Sequence, residues 1–433
     1  MAYIELGDIC DISKGEIGIT KAVPGEYPMV TTGAERKSHN KFQLDTEAVL
    51  VPLVSSTGHG HASIKRIHFQ EGKFAFGSIL AACVPKDNRY SAKFLYIYFQ
   101  LMKDYILVPL MKGSANVSLT LGNLKTAKVP DISREMQESI VKLYSTLKIE
   151  QDETISILSN QKSDIDSLKQ AILQEAVQGK LTEGWRANNS NTEPASELLK
   201  RIGESKNRLI EQKIFKAKYD TDKFEPLINR PVIPNSWTYV TVGNICELIT
   251  GATPSKSKSQ YFGGNIKWLV SGDIHKGYIH DCEGRITEEG MSSSNCKVLP
   301  IDSIMIALNG QGKTRATVAL LKTEATCNQS LIAMKPFLDN CYLSEYIYYL
   351  LKGKYFQIRG ITGQKQRRGL NMTLVSQLPI ALPPLKEQKA IVENVNSLMA
   401  LCDELEQQID NSQTQIEQLM QSCLKEVFEQ ESN

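Results

Sequence analysis

The sequence has no hydrophobic run of the ~20 residues a membrane-spanning helix needs. Near its start, Glu5 and Asp8 stand where a targeting signal would be basic and then apolar. Both absences point to a soluble chain. It also lacks any Cys-x-x-Cys pair. Its nine cysteines are odd in number and scattered, which argues against a disulfide framework and fits reduced, mostly buried thiols in a cytoplasmic protein. Net charge is nearly absent at +2, but the balance is uneven. Residues 134–177 sum to −3 and residues 385–433 to −7, so the remainder carries +12. A mildly basic globular part is compatible with a polyanionic partner.

Catalytic signatures are missing too. Gln311-Gly312-Lys313-Thr314 resembles the end of a phosphate-binding loop, but Ala307 stands where its first glycine is required. Leu382-Pro383-Pro384-Leu385 resembles the Pro-Pro element of amino-methyltransferases. Its amine-binding Asn or Asp is replaced by Leu382, and Phe262-Gly263-Gly264 is a poor methyl-donor loop. Asp45 with Glu71-Gly72-Lys73 imitates a metal-nuclease carboxylate set, yet has no counterpart elsewhere in the chain. His59 and His61 lack a third metal ligand. The expectation is a chain without catalytic residues and without a metal.

What the chain does have is itself, twice. A shift of 251 positions (388 minus 137) lays residues 134–177 over 385–428, and 12 of those 44 pairs are identical, among them Gln137/Gln388, Ile140/Ile391 and Leu173/Leu424. Upstream, Tyr3-Ile4-Glu5-Leu6-Gly7-Asp8-Ile9-Cys10 matches Tyr239-Val240-Thr241-Val242-Gly243-Asn244-Ile245-Cys246. Two similar surfaces at a fixed separation suit a repeated or bipartite partner.

Each copy opens with β-rich sequence bounded by Gly and Pro, such as Ala48–Val51 and Ser78–Val84, or Ser303–Leu308 and Ser330–Met334. An aromatic helical stretch follows, Phe94–Phe99 or Tyr346–Leu351, and after Pro130 or Pro383-Pro384 a long helix begins. The expected fold is α+β: mixed domains at 1–133 and 231–384, helices at 134–183 and 385–433, and a basic linker at 184–230. A heptad register places Tyr144, Gln151, Leu158, Ile165 and Ile172 at a, with Ile140, Leu147, Thr154, Gln161 and Leu168 at d. The second helix has Val395, Cys402, Ile409, Ile416 and Cys423 at a, with Ile391, Leu398, Leu405, Ser412 and Leu419 at d. This predicts an antiparallel coiled coil of helices ~65 Å long; the alternative packs each helix on its own domain. The linker segment Glu197–Lys218 reads as a basic helix, with a solvated spacer as its plain interpretation.

The repeated loops are the candidate binding elements. Gly58-His59-Gly60-His61, followed by Lys65 and Arg66, falls on Gly310-Gln311-Gly312-Lys313, followed by Thr314 and Arg315. A second pair comprises Lys112-Gly113-Ser114-Ala115-Asn116 and Gly363-Gln364-Lys365-Gln366-Arg367-Arg368. Glycines allow close backbone approach, Gln, Asn, His and Arg reach base edges, and Lys and Arg hold phosphates. The competing interpretation is plain surface turns.

The chain resembles the specificity subunits of type I restriction–modification enzymes over nearly all its length. The resemblance rests on Leu382-Pro383-Pro384-Leu385-x-Glu387-Gln388-x-x-Ile391-Val392 and on the run Ala171-Ile172-Leu173-Gln174-Glu175-Ala176-Val177-Gln178-Gly179-Lys180-Leu181-Thr182. It also rests on Glu193-Pro194-Ala195-Ser196-Glu197-Leu198-Leu199, on Pro234-x-x-Trp237 leading to Val242-Gly243-Asn244-Ile245, and on Asn328-Gln329-Ser330-Leu331. It implies two target recognition domains, each reading half of a split site in double-stranded DNA, with the helices as a ruler that also docks two modification (methyltransferase) subunits. Restriction (motor-nuclease) subunits join them. S-adenosylmethionine, ATP and magnesium belong to those partners, and none to this chain. The first copy departs from the pattern at Glu135-Met136-Gln137 and Phe76-Gly77-Ser78. A rival of another class is a coiled-coil assembly scaffold without DNA binding.

Overall fold

The structure is a computed structural model that describes residues 2–18, 22–57, 60–114, 116–215, 223–310, 312–361 and 369–429. Two compact units are formed. One comprises residues 1–161 with 408–433, the other residues 162–407.

In the first unit a four-stranded sheet runs in the order Cys10–Lys14, Leu80–Pro85, Ala48–Pro52, His68–Gln70. A second follows the order Lys37–His39, Tyr27–Val30, Lys73–Phe76, Leu44–Asp45. The strands Ala48–Pro52 and Leu80–Pro85 are apolar on both faces because both faces are covered. One cover is the helix Ala92–Ile106, capped by Ser91, which buries Phe94, Leu95, Ile97, Tyr98 and Phe99. In the second unit a five-stranded sheet has the order Cys246–Thr250, Leu331–Pro336, Ile304–Ala307, Val318–Leu321, Tyr278–Ile279. A three-stranded sheet of Arg285–Ile286, Phe262–Leu269 and Thr326–Cys327 lies beside it in sequence, and the helix Cys341–Gly353 is buried along most of its length.

The strand registers prove the repeat. Tyr3 pairs with Pro130 and Tyr239 with Ala381; Cys10 pairs with Pro85 and Cys246 with Pro336. The shift of 251 carries Pro130 onto Ala381 and Pro85 onto Pro336, while 236 carries Tyr3 onto Tyr239 and Cys10 onto Cys246. The second copy has therefore gained 15 residues between these matched strands. A glutamine anchors each helix start in the same way. Gln137 Nε2 donates to Ile132 O at 3.2 Å, Gln388 Nε2 donates to Pro383 O at 2.8 Å, and both side chains are fully buried.

The long helices span Arg134–Val177 and Leu385–Glu429. The first ends before the expected residue 183, because Gly179 adopts the left-handed φ of 75° that closes a helix and a short 3-10 turn follows. The helices pair with each other beyond their starts. Each helix starts against its own domain, through Ile140 or through Ile391, Val392 and Val395. Within the second unit the two then run antiparallel: Leu181 O accepts from Asn394, and Lys169 pairs with Asp403 at 2.7 Å and Glu406 at 2.9 Å. Within the first unit, Tyr144, Lys148, Gln151 and Ile155 adjoin Glu417, Gln418 and Gln421. The a positions apart from Cys423 stay covered, but the d positions Gln161, Leu168, Leu405 and Leu419 are exposed. Half-buried side chains at e, namely Ile155, Lys169, Met399, Glu406 and Met420, replace them. Straight helices drift ~20° per heptad relative to a 3.5-residue repeat, which rotates d outward and e inward.

The linker is not a solvated spacer. Helix Ala195–Glu211 buries Ala195, Leu198 and Ile202. Ser205 donates to Phe337 O at 2.7 Å, and the Lys206 ammonium donates to Gly243 O at 3.1 Å while lying over the Phe337 ring. Residues 216–218 of the expected helix lie outside the described residues. Among the described residues no helix is long and apolar enough to cross a membrane.

Candidate nucleic-acid interface

In the first unit, the chain leaving Ala48–Pro52 enters a loop that pairs with residues 111–119. Leu119 N–H donates to Leu53 O at 2.8 Å, Ser55 N–H to Val117 O at 3.0 Å, and Lys112 and Ser118 exchange both backbone bonds at 2.9 Å. These pairings bring the two candidate loops together. A Cβ at Gly60 would meet Ser114 O at 2.8 Å, and φ is +81° there, so glycine is required on both counts. The loop is tied internally by hydroxyls: Ser55 and Thr57 both donate to His61 O, and Ser56 Oγ accepts from Lys65 N–H. His61, Lys65, Lys112, Ser114 and Asn116 are exposed and Arg66 is half-buried. Gly58, His59 and Ala115 lie outside the described residues.

Behind this loop sits a buried histidine. Arg36 spans His68 Nδ1 at 3.2 Å, Gln70 Oε1 at 2.9 Å and Phe69 O at 3.0 Å. Burial, and then the charges of Arg36 and Arg66, push the His68 pKa down to about 4. With Nδ1 accepting from Arg36, the ring proton sits on Nε2, a buried atom without a hydrogen-bond partner among the described residues. The ring is neutral, and the positive charge of this side is carried by Arg36, Lys65, Arg66 and Lys112.

The second unit repeats the arrangement at the loop base. Leu370 N–H donates to Leu308 O at 3.0 Å, as Leu119 does to Leu53. Gly369 lies so close to Asn309 and Leu308 O that no Cβ fits. Residue 369 ends the second candidate loop, whose Lys365, Gln366, Arg367 and Arg368 lie outside the described residues, as does Gln311. Backbone pairing sets the first loops in a register of 255 (53 onto 308) where they start, and 250 (68 onto 318) where the next strand begins. The loop of residues 53–67 is thus longer than that of residues 308–317.

The 310–316 backbone is unusual, with positive φ at Gly310, Gly312 and Ala316. Lys313 is exposed; Thr314 and Arg315 are half-buried. Side chains remote in sequence hold the loop. His275 Nε2 meets Thr314 Oγ1 at 3.0 Å, Tyr355 Oη donates to Lys313 O at 2.9 Å, and Arg359 donates to Arg315 O at 3.2 Å and to Gly312 O. His275, Gly312, Lys313, Tyr355 and Arg359 line a cavity of about 550 Å³ together with Phe356, Lys352 and Gln170. Sequence reading missed His275, Tyr355, Phe356 and Arg359. The available signal was Tyr355 and Arg359 at i, i+4, which share one face of the helix Tyr355–Gly360.

The imitation nuclease set comes apart. Asp45 and Lys73 face each other across a strand pair, but Glu71 is engaged by Lys93 at 3.5 Å. Among the described residues no cluster of His, Cys, Asp or Glu is suited to a metal ion.

Away from the loops, the fragments that carry the family resemblance converge. Glu387, fully buried, accepts from Thr182 Oγ1 at 2.7 Å and Arg186 at 2.6 Å on one oxygen, and from Trp237 Nε1 at 2.8 Å on the other. A Cβ on Gly179 would meet Pro234 at 2.8 Å and Trp237 at 3.1 Å.

A protein-family model described as "Type I restriction modification DNA specificity domain" matches residues 1–170 and 234–415. The type I restriction enzyme EcoDI specificity subunit of Escherichia coli is 25% identical over 431 residues, covering 98% of this chain and 87% of that protein. The EcoEI specificity subunit of Escherichia coli is 30% identical over 295 residues, covering 61% of this chain and 45% of that protein. Among solved structures, the HsdS subunit from Thermoanaerobacter tengcongensis aligns over 99% of this chain and 96% of its own, with a TM-score of 0.51 at 13% identity. A chain from a study titled on complex assembly and conformational transition of the type I R-M system aligns over 99% and 97%, with a TM-score of 0.59 at 13% identity. At these identities the structures show a shared fold.

Proposed function

This chain belongs to the type I restriction–modification DNA specificity domain family and serves as a DNA-specificity subunit, from which we propose a division of labour between its parts. Each recognition domain reads one half of a bipartite site through its paired loops: His61, Lys65, Arg66, Lys112, Ser114 and Asn116 on one domain, Lys313, Thr314 and Arg315 on the other, and beside them Gly58, His59, Gln311, Lys365, Gln366, Arg367 and Arg368. The two helices set the unread spacer and dock two modification subunits, which restriction subunits join. The chain is not itself the catalyst. S-adenosylmethionine, ATP and magnesium act in the partners, and the setting is the cytoplasm.

One observation carries this reading. The same loop pair is built twice on the same strand register, by Leu119 on Leu53 and by Leu370 on Leu308, yet the exposed side chains differ between the copies. Assembly surfaces that bind the same partner twice are expected to keep their contacts. Loops that read different sequences are expected to diverge in theirs.

The test is the assembled complex with its modification subunits on double-stranded DNA. Mapping methylated adenines is expected to yield one bipartite motif. Replacing residues 310–315 is expected to relax one half of it and leave the other intact. Relaxation of both halves, or of neither, overturns the division. Partner binding that is insensitive to salt, with no binding of any DNA by the complex, returns the scaffold alternative.

A further inference from the structure

The two reading loops are held by different means. In the first unit, hydroxyls of the loop itself, Ser55 and Thr57, close on His61 O. In the second, the carbonyls of Gly312, Lys313 and Arg315 accept hydrogen bonds from a separate helix, Tyr355–Gly360. Arg359 bridges two of those carbonyls and also donates to Tyr355 Oη at 3.1 Å, with its guanidinium over the Tyr355 ring. The hydroxyl then donates onward to Lys313 O.

Such support adds to the bonds the loop backbone makes itself. Thr317 reaches Lys313 O at 2.7 Å and Thr314 O at 3.1 Å, and Ala316 N–H reaches Ala307 O at 2.9 Å. Gly310, Gly312 and Ala316 hold left-handed backbone, which an unsupported loop leaves readily. The bridge from Arg359 to Gly312 O and Arg315 O ties the two ends of the segment that carries Lys313, Thr314 and Arg315.

We propose that Arg359 and Tyr355 are positioning residues for DNA reading by the second domain: they fix the backbone of Gly312–Arg315, so that base preference at one half-site depends on two side chains that contact no base. This rests on the DNA-reading function proposed above. A planar guanidinium spans two carbonyls at once, whereas an ammonium keeps the charge but not the bridge.

The experiment uses the full chain assembled with its modification subunits, and libraries of duplex DNA randomised in one half-site at a time. Arg359→Ala is expected to lower discrimination at the half-site of the second domain about tenfold, the scale of one lost base contact, with the other half-site unchanged. Arg359→Lys is expected to recover affinity but not discrimination. Tyr355→Phe, which removes one hydroxyl and leaves the core intact, is expected to lower the same discrimination roughly threefold. An equal loss of affinity for all sequences in Arg359→Ala, recovered in Arg359→Lys, makes Arg359 a phosphate contact and overturns the proposal. Unchanged discrimination in both Arg359→Lys and Tyr355→Phe overturns it as well. A wild-type complex without sequence preference overturns the underlying DNA reading instead, and the positioning role with it.

Discussion

Trp237 donates its indole N–H to Glu387 Oε2 at 2.8 Å, across 150 positions of sequence. The other oxygen is taken by Thr182 and Arg186, so a carboxylate with no exposure has all its strong acceptors occupied. The start of the second long helix, the close of the first and the entry to the second domain are thereby tied at one point. Removing one partner from a buried charged pair costs more than the pair is worth, since the other charge is stranded. Glu387→Ala is expected to lower stability by about 3 kcal/mol, and Trp237→Phe by about 1–2 kcal/mol because it leaves one carboxylate oxygen unpaired. Urea unfolding followed by tryptophan fluorescence measures both. A shift in Glu387→Ala no larger than in a surface glutamate control contradicts this account.

The repeat, the domain order and the helix starts were legible in the sequence because each rests on local pattern: alternation in strands, prolines at domain ends, and apolar spacing along helices. Glu387 and Trp237 were visible only as parts of separate motifs. Nothing local says that a helix N-terminus and a tryptophan 150 residues away share a hydrogen bond. The heptad frame failed at Leu168 and Leu405 for a related reason: two straight helices turn away from a strict 3.5-residue repeat, and which neighbours they meet decides where the stripe goes. The candidate loops were picked out by their glycines, and Gly60 and Gly312 both hold positive φ. The residues that hold one of them, Tyr355 and Arg359, were missed because they act across 42–47 positions.

His68 gives the first domain an acid-sensitive core. Its pKa is about 4 in the fold against ~6.5 in the unfolded chain. Between those values the unfolded state binds the extra proton, so stability is fully present above pH ~6.5 and is lost as pH falls toward 4. The loss approaches about 3 kcal/mol at the lower end. His68→Gln keeps an acceptor for Arg36 and does not titrate. Urea midpoints measured from pH 7 to pH 4.5 are expected to converge for the two proteins as pH falls, the wild type declining more steeply. Parallel curves contradict the assignment.

Lys354 is buried, its ammonium donates to Asn229 O at 3.3 Å, and burial followed by Arg230 lowers its pKa to about 8. At pH 7 it is charged in both states and therefore costs stability in the folded one. Lys354→Met matches its length without the charge and is expected to stabilise the second unit by about 1–3 kcal/mol at pH 7. The wild type gains stability as pH rises from about 8 toward 10.5, because there the unfolded chain holds the proton and the fold does not. The advantage of the methionine variant is expected to shrink across that range. An advantage that is constant with pH assigns the effect to packing alone.

Salt dependence separates phosphate contacts from base contacts at the second loop. Each neutralised phosphate adds about 0.9 to the slope of log K against log salt on duplex DNA, because condensed counterions are released. Lys313 is exposed on a compact ammonium stem, while Arg315 is half-buried with its carbonyl held by Arg359. Lys313→Ala in the assembled complex is expected to reduce the slope by about 1 and to weaken cognate and non-cognate duplexes alike. Arg315→Ala, if Arg315 reads a base edge, lowers cognate affinity roughly tenfold more than non-cognate affinity and changes the slope little. Binding isotherms over a range of potassium chloride concentrations, on both duplexes, give the two quantities independently. If both variants lower the slope equally with no change in selectivity, the second loop holds the backbone only, and base reading in that half-site rests on the companion loop that ends at Gly369.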